Sequence, residues 1–276
     1  MAADLVLGSD LVQGSEPHCK IFSGCGFPAP GLHSFHYEPL WAIEFGPFAL
    51  TKPVLLVLII TVLIAIAITA AFRKAKLVPR GFQNIVELFY DFIRIGICRD
   101  VIGKGGEKWA PYLATLFLFI FFMNVMGIVP GAQIAPTSIT AFTWPFAIMS
   151  YLIMWAVGIK HQGLGGYVKN ALVPPGAPAW VLPILSPIEL LSTFVFRPVT
   201  LAVRLFANMF AGHILILIFS VAAEYWLIPH IGAAVAGVSF AMVLVLTAFE
   251  FVVQILQAYI FTVLTASYIG EAMHGH

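Results

Sequence analysis

The chain has 276 residues, of which 61% are hydrophobic and only 10% charged, with a mean hydropathy of +0.97. A soluble globular domain uses roughly 25% charged residues, so a water-soluble fold is excluded. Fourteen Lys and Arg against thirteen Asp and Glu leave a formal charge of +1, without the basic footprint of a nucleic-acid binder. Three cysteines exclude a disulfide scaffold, and no Cys pair has zinc-ligand spacing.

Residues 1–46 lack a positive region followed by an apolar one, so a retained tail rather than a cleavable signal is expected. Within it, Cys19 and Cys25 could form a disulfide in an oxidising compartment, and His33, His36 and Glu38 could contact a metal but read more simply as surface residues; no metal is predicted. Pro53 to Phe72 is free of Asp, Glu, Lys and Arg and is followed by Arg73, Lys74, Lys76 and Arg80. It is long enough to cross the ~30 Å hydrocarbon core. Phe82 to Ile102 sets Glu87, Asp91 and Arg94 at helical spacing among apolar residues, which fits an interfacial helix or an ordinary loop helix packed on the protein. Cys98 within it is expected to be a buried or cytoplasmic thiol.

Trp109 to Ile159 is charge-free but too long for one span, and turn residues from Pro130 to Ser138 divide it in two. Two stretches of roughly 40 residues follow. At 1.5 Å per residue each would reach about 60 Å, so neither stands upright as one straight helix. The predicted fold class is thus an all-α membrane protein. An exterior tail, 1–46, precedes a single polytopic membrane domain, 47–276. Its spans are about 50–72, 109–129, 139–159, 180–223 and 231–268, with an interfacial helix at about 82–102 and the last two spans forming a tilted antiparallel hairpin. The acidic tail, the basic loop after the first span, and Lys160 and Lys169 place the N-terminus outside and the C-terminus in the cytoplasm by the positive-inside rule.

Ionisable groups in membrane segments cost about 2.5–3.5 kcal/mol each, which makes them functional candidates. Here they are Glu189, Arg197, Arg204, His213 and Glu250. Arg204, Ala207, Asn208, Ala211 and Gly212 share one helical face, a single permanent charge on a surface of small residues. Arg197, nearer a helix end, fits snorkelling to the headgroups. Thr247, Glu250, Gln254 and Gln257 form a polar stripe, which reads either as a proton route or as hydrogen bonding that holds the bundle together. Antiparallel pairing about the breaker cluster at Pro229 and Gly232 sets Arg204 opposite Gln257 and His213 opposite Glu250. An imidazole beside a carboxylate can exchange protons near neutral pH, and Arg cannot.

The run from Arg197 to His213, RPVTLAVRLFANMFAGH, resembles the signature of subunit a of the F-type rotary ATP synthase. Leu256 to Thr265, LQAYIFTVLT, resembles its second signature, and Met123 to Pro130, MNVMGIVP, a weaker third. The likeness covers about residues 30–270. It implies a non-catalytic, proton-translocating subunit of the bacterial plasma membrane, whose two long inclined helices lie against a ring of c subunits. Peripheral-stalk b subunits, the rest of the complex and the lipid bilayer are the other implied partners, with no nucleic acid and no cofactor. Position by position, Arg204 matches the essential arginine, Asn208 and Gln257 match polar residues near it, and His213 and Glu250 match the outer proton-path pair. Gln254 joins that outer path, while Glu189 and Ser192 are assigned to the inner one. Many bacterial members carry the outer carboxylate on the first long helix and the histidine on the second, the reverse of this chain. Glu189 stands one residue further from Pro198 than its counterpart in familiar members.

A self-contained ion channel or secondary transporter is the alternative, against which no internal repeat is visible. No H-E-x-x-H or G-x-S-x-G motif supports an intramembrane protease, and no phosphate-binding glycine motif is present.

Overall fold

The computed structural model describes residues 39–45, 48–73, 81–129, 132, 134–172, 182–227 and 233–274. The tail residues Cys19, Cys25, His33, His36 and Glu38, the bases Lys74, Lys76 and Arg80, and the breaker cluster from 228 to 232 lie outside the described residues. Two short antiparallel strands, β1 (Pro39–Phe45) and β2 (Phe48–Thr51), lead into the membrane helices, a feature the sequence reading did not include. Among the described residues, every regular element after them is a helix.

α1 (Lys52–Phe72) starts on Pro53, whose missing N–H costs nothing in a first turn. Its Leu55, Leu58, Ile59, Val62, Leu63 and Ile66 are exposed, as expected of a helix whose solvent is lipid. The Thr61 and Thr69 hydroxyls donate to the carbonyls of Val57 and Ala65 at 2.7 and 2.8 Å, which hides two polar groups within the helix. α2 (Phe82–Ile93) is amphipathic and continues as a π-helical segment, Arg94–Ile102. Phe82, Ile85, Leu88 and Phe92 on α2 are 50–70% exposed, an apolar stripe that the described chain does not cover.

A 3₁₀ turn, Gly106–Trp109, leads into α3 (Ala110–Val125), and a second, Pro136–Ser138, precedes α4 (Thr140–Leu172). The division of the long apolar run therefore falls where the turn residues placed it. α4 is broken at Gly163, whose φ of +73° suits a residue without Cβ. Beyond the break the chain returns so closely that a Cβ on Gly158 would lie 2.5 Å from the Tyr167 ring.

The expected span over 180–223 is α5 (Leu182–Leu191), a π-helical turn (Ser192–Phe196) and α6 (Arg197–Leu227). α7 (Ala233–His274) runs six residues past its expected end at 268. Among the described residues, five helical stretches are long and apolar enough to cross a membrane: Lys52–Phe72, Gly106–Val125, Thr140–Gly163, Leu185–Ala223 and Ala234–Met273. By its contacts the chain forms two compact units. One holds Ile214–Leu246; the other holds Tyr37–His213 with Thr247–His276 and contains every site residue discussed below.

The core of the larger unit joins the π-helical segment, α3, α4, the start of α6 and the end of α7 through Ile93, Ile97, Leu113, Ile120, Leu205, Phe261 and Ile269. Cys98 is buried there. A Cβ on Gly106 would lie 2.5 Å from the Cys98 carbonyl oxygen, so the turn closes on this thiol's own backbone. Burial pushes the Cys98 thiol up to about 11, and the nearby Glu107 carboxylate adds to the shift. The raised value means that the neutral thiol belongs to the folded state. Its contribution to stability is whole below the ordinary thiol range near pH ~8.5 and is lost as pH rises toward 11. In detergent-solubilised complex at pH 7.4, Cys98 is expected to resist maleimide until the fold is opened. Rapid labelling without denaturant would contradict this placement.

Candidate functional site

α6 presents two faces. Leu201, Ala202, Leu205 and Met209 are buried, whereas Thr200, Arg204, Ala207, Asn208 and Ala211 are exposed. Arg204 is thus exposed, inside a helical stretch long and apolar enough to cross a membrane. Among the described residues it has no hydrogen bond or ion pair. Small neighbours at 207 and 211 leave its surface open to close approach.

α7 offers the complementary pattern. Glu250, Gln254 and Gln257 are 4%, 0% and 2% exposed, so the polar stripe read from the sequence is real and turned inward. The Asn208 amide donates to Gln257 Oε1 at 2.7 Å. Glu250 packs on Gly212, where a Cβ would sit 3.2 Å from its Oε1. Four buried polar atoms in this line, Glu250 Oε1, both side-chain atoms of Gln254, and Gln257 Nε2, have no hydrogen-bond partner among the described residues. His213 is half-buried next to Gly212.

These contacts fix the antiparallel register of α6 and α7 in this unit. The expectation set Arg204 opposite Gln257; the side chain that donates to Gln257 is that of Asn208, one turn along the same face of α6, while Gly212 lies against the Glu250 carboxyl. Pairing by residue number counts backbone positions, whereas amide side chains several bonds long meet diagonally.

At the opposite end of this α6 segment, Arg197 forms an ion pair with Glu271, and its guanidinium lies 5.3 Å from the centre of the Tyr268 ring. Arg197 is therefore held by the protein and is not simply snorkelling. Glu271 was missed by the sequence reading because the predicted helix stopped at 268, and Tyr268, the last residue of that helix, was not singled out; carrying the antiparallel register onward leads to both. Gln162 Nε2 also donates to the Ala272 carbonyl at 2.9 Å, which ties the end of α7 to α4. Glu189 and Ser192 are half-buried, with Ser192 opening the π-helical turn. The Tyr151 hydroxyl donates to the Thr193 carbonyl in that turn at 2.7 Å. A π turn widens the backbone ring and re-aims side chains, a common device near functional sites.

The model of the ATP synthase A chain family matches residues 54–270. The chain belongs to this family. ATP synthase subunit a of Streptomyces lividans is 47% identical over 266 residues, which cover 96% of this chain and 94% of the relative. The subunit a of Parafrankia sp. is 45% identical over 254 residues, covering 91% and 86%, and that of Rhodococcus erythropolis is 41% identical over 257 residues, covering 90% and 91%. Membership identifies a multi-pass, proton-translocating subunit of the ATP synthase membrane sector in the bacterial plasma membrane, not itself catalytic. Arg204, Asn208 and Gly212 all fall within the matched region, as do Glu250 and Gln257.

The observed register carries its own test. In a background lacking Cys19, Cys25 and Cys98, cysteine pairs at 208/257 and 212/250 should crosslink through a short reagent faster than the pair at 204/257. Preferential crosslinking of 204/257, read by gel mobility after protease cleavage between α6 and α7, would show that the register is one turn off.

Proposed function

We propose that this subunit couples proton flow to rotation of a ring of c subunits by means of two offset half-channels separated by Arg204. The observation that carries the reading is the exposed, unpaired Arg204 within an apolar segment, beside a buried polar line on α7. A permanent charge facing out of the chain at membrane depth calls for an anionic partner, and a carboxylate on a neighbouring rotor helix supplies one. At about 4 Å and an effective dielectric near 20, the attraction is about 4 kcal/mol, or about three pKa units in favour of the ionised acid. That is enough to strip a proton from an arriving carboxyl. Because Arg stays charged throughout, it gives protons no direct bridge between the two paths.

The outer half-channel runs past His213, Glu250, Gln254, Asn208 and Gln257. Buried polar atoms without protein partners are ordinarily satisfied by ordered water, so the orphaned atoms of Glu250, Gln254 and Gln257 suit a hydrated line. Glu189 and Ser192 lie on the other side of Arg204 in sequence and serve the inner half-channel. The N-terminal tail, residues 1–46, lies outside, the single membrane domain 47–276 follows, and the C-terminus is cytoplasmic. Peripheral-stalk b subunits hold the assembly still while the ring turns. Each proton then delivers roughly 2.3 kcal/mol per 100 mV of membrane potential.

Arg204→Ala should assemble yet lose ATP-driven proton pumping, measured by dye quenching in inverted membrane vesicles. Arg204→Lys should fail badly too, because a desolvated Lys can release its proton and lacks the planar fork. Near-normal pumping by assembled Arg204→Ala complexes would sink the reading. Glu250→Gln is expected to slow pumping without raising passive proton flux, since the barrier belongs to Arg204. A freely leaking Glu250→Gln membrane would show that the paths are not arranged this way.

A further inference from the structure

Arg197 and Arg204 are seven residues apart on α6, two turns that bring them to nearly the same face about 10 Å apart along the axis. Between and beyond them, Thr200, Ala207 and Ala211 are exposed on that stripe. The face that presents the free guanidinium therefore carries a second one, and the two are treated differently. Arg197 is answered by the Glu271 carboxylate and the Tyr268 ring; Arg204 has no hydrogen bond or ion pair among the described residues. Both members of the Arg197–Glu271 pair stay partly exposed, so their charges still reach the surface of the chain.

We propose that Glu271 is a positioning residue that cancels the charge of Arg197, so that the stator shows the rotor one free positive charge rather than two. The proposal rests on the reading of Arg204 given above. During ATP-driven pumping a rotor carboxylate leaving Arg204 must take a proton from the cytoplasmic path, forming one O–H bond as the donor water or hydronium loses one. An uncancelled Arg197 at that end would hold the carboxylate ionised and raise the proton concentration needed to load it. A full charge within about 8 Å at an effective dielectric near 20 moves a carboxyl by about one to two pKa units. Cancellation by Glu271 removes most of that shift. The other titratable groups near Arg197 among the described residues are Tyr268 on α7, Glu189 on α5, and Tyr151 and Tyr167 on α4. Burial, chiefly, pushes the Tyr167 hydroxyl up to about 12, so it stays neutral in the range of the experiment.

The sign of the pH response distinguishes cancellation of charge from mere clamping of helices. ATP-driven pumping would be measured in inverted vesicles, whose medium bathes the cytoplasmic face, at medium pH from 5.5 to about 9.5 and normalised to ATP hydrolysed and to assembled subunit. Glu271→Gln should move the half-maximal pH about one unit or more toward acid. Arg197→Gln, which leaves Glu271 uncancelled, should move it toward alkali. The double variant and Glu271→Asp should both return near the wild-type midpoint. Should Glu271→Gln fail to assemble, the alkaline shift of Arg197→Gln together with the wild-type midpoint of the double variant still carries the proposal. Lower pumping at every pH with unmoved midpoints, or shifts of the same sign in both single variants, would overturn it. Arg204→Ala measured alongside separates the two levels: normal pumping there sinks the underlying reading, whereas an inactive Arg204→Ala with unmoved Glu271→Gln sinks only this inference.

Discussion

The cost of a full charge in hydrocarbon governs the arrangement of this molecule. A chain with 10% charged residues and five helices apolar enough to cross a bilayer has few such charges to place. On the reading advanced here, such a charge can be answered within the chain, left exposed for a partner, or replaced by an uncharged polar group. Arg197 takes the first course, with a carboxylate and an aromatic face from α7. Arg204 takes the second. The amides of Asn208, Gln254 and Gln257 take the third, because they carry polarity between helices at a fraction of the desolvation cost of an ion.

Small residues make this economy geometrically possible. Gly212 lets the Glu250 carboxyl lie against α6, where any Cβ would crowd it, and the alanines at 207 and 211 keep the surface around Arg204 flat. The buried stripe on α7 is incompletely satisfied by protein, with four polar atoms left over. A bundle held together merely by interhelical hydrogen bonds would pair such atoms, since each buried orphan costs about 1–3 kcal/mol. On the reading advanced here, ordered water along the line supplies those partners. Asn124 on α3 likewise keeps one orphaned amide atom, Nδ2, while its Oδ1 accepts from Thr137 at 2.6 Å and closes the α3–α4 connection.

Much of this was legible in the residues. The first span was bounded by composition alone, because a charge-free run ending in a basic cluster has one stable placement. The polar stripe and the Arg204 face followed from helical periodicity. The π-helical segments at 94–102 and 192–196 were not legible, since a π turn differs from an α turn by one residue per hydrogen-bonded ring and leaves no compositional mark. The break at Gly163 lies past the expected end of the span at 159, and only the return of Tyr167 onto Gly158 gives it a reason. The end of α7 was missed because hydropathy falls at Glu271, yet that residue is held by Arg197 and extends the helix. Hydropathy sees the cost of a charge and is blind to its partner.

The same blindness explains why Arg197 and Arg204 look alike in sequence and differ in the fold. Both lie on one stripe of α6, and either, taken alone, is an intramembrane cation. What separates them is a residue more than sixty positions away on another helix. A charge whose counterion lies in its own chain has its electrostatics settled before assembly. A charge that faces outward without one has its electrostatics settled only when a partner arrives. Arg204 is of the second kind, so on the reading advanced here the site is half built by this chain and half by whichever rotor subunit stands against it. That division suits a moving interface: the fixed half must remain charged through every passage, which Arg does, and the mobile half must be able to change its charge, which a carboxyl does.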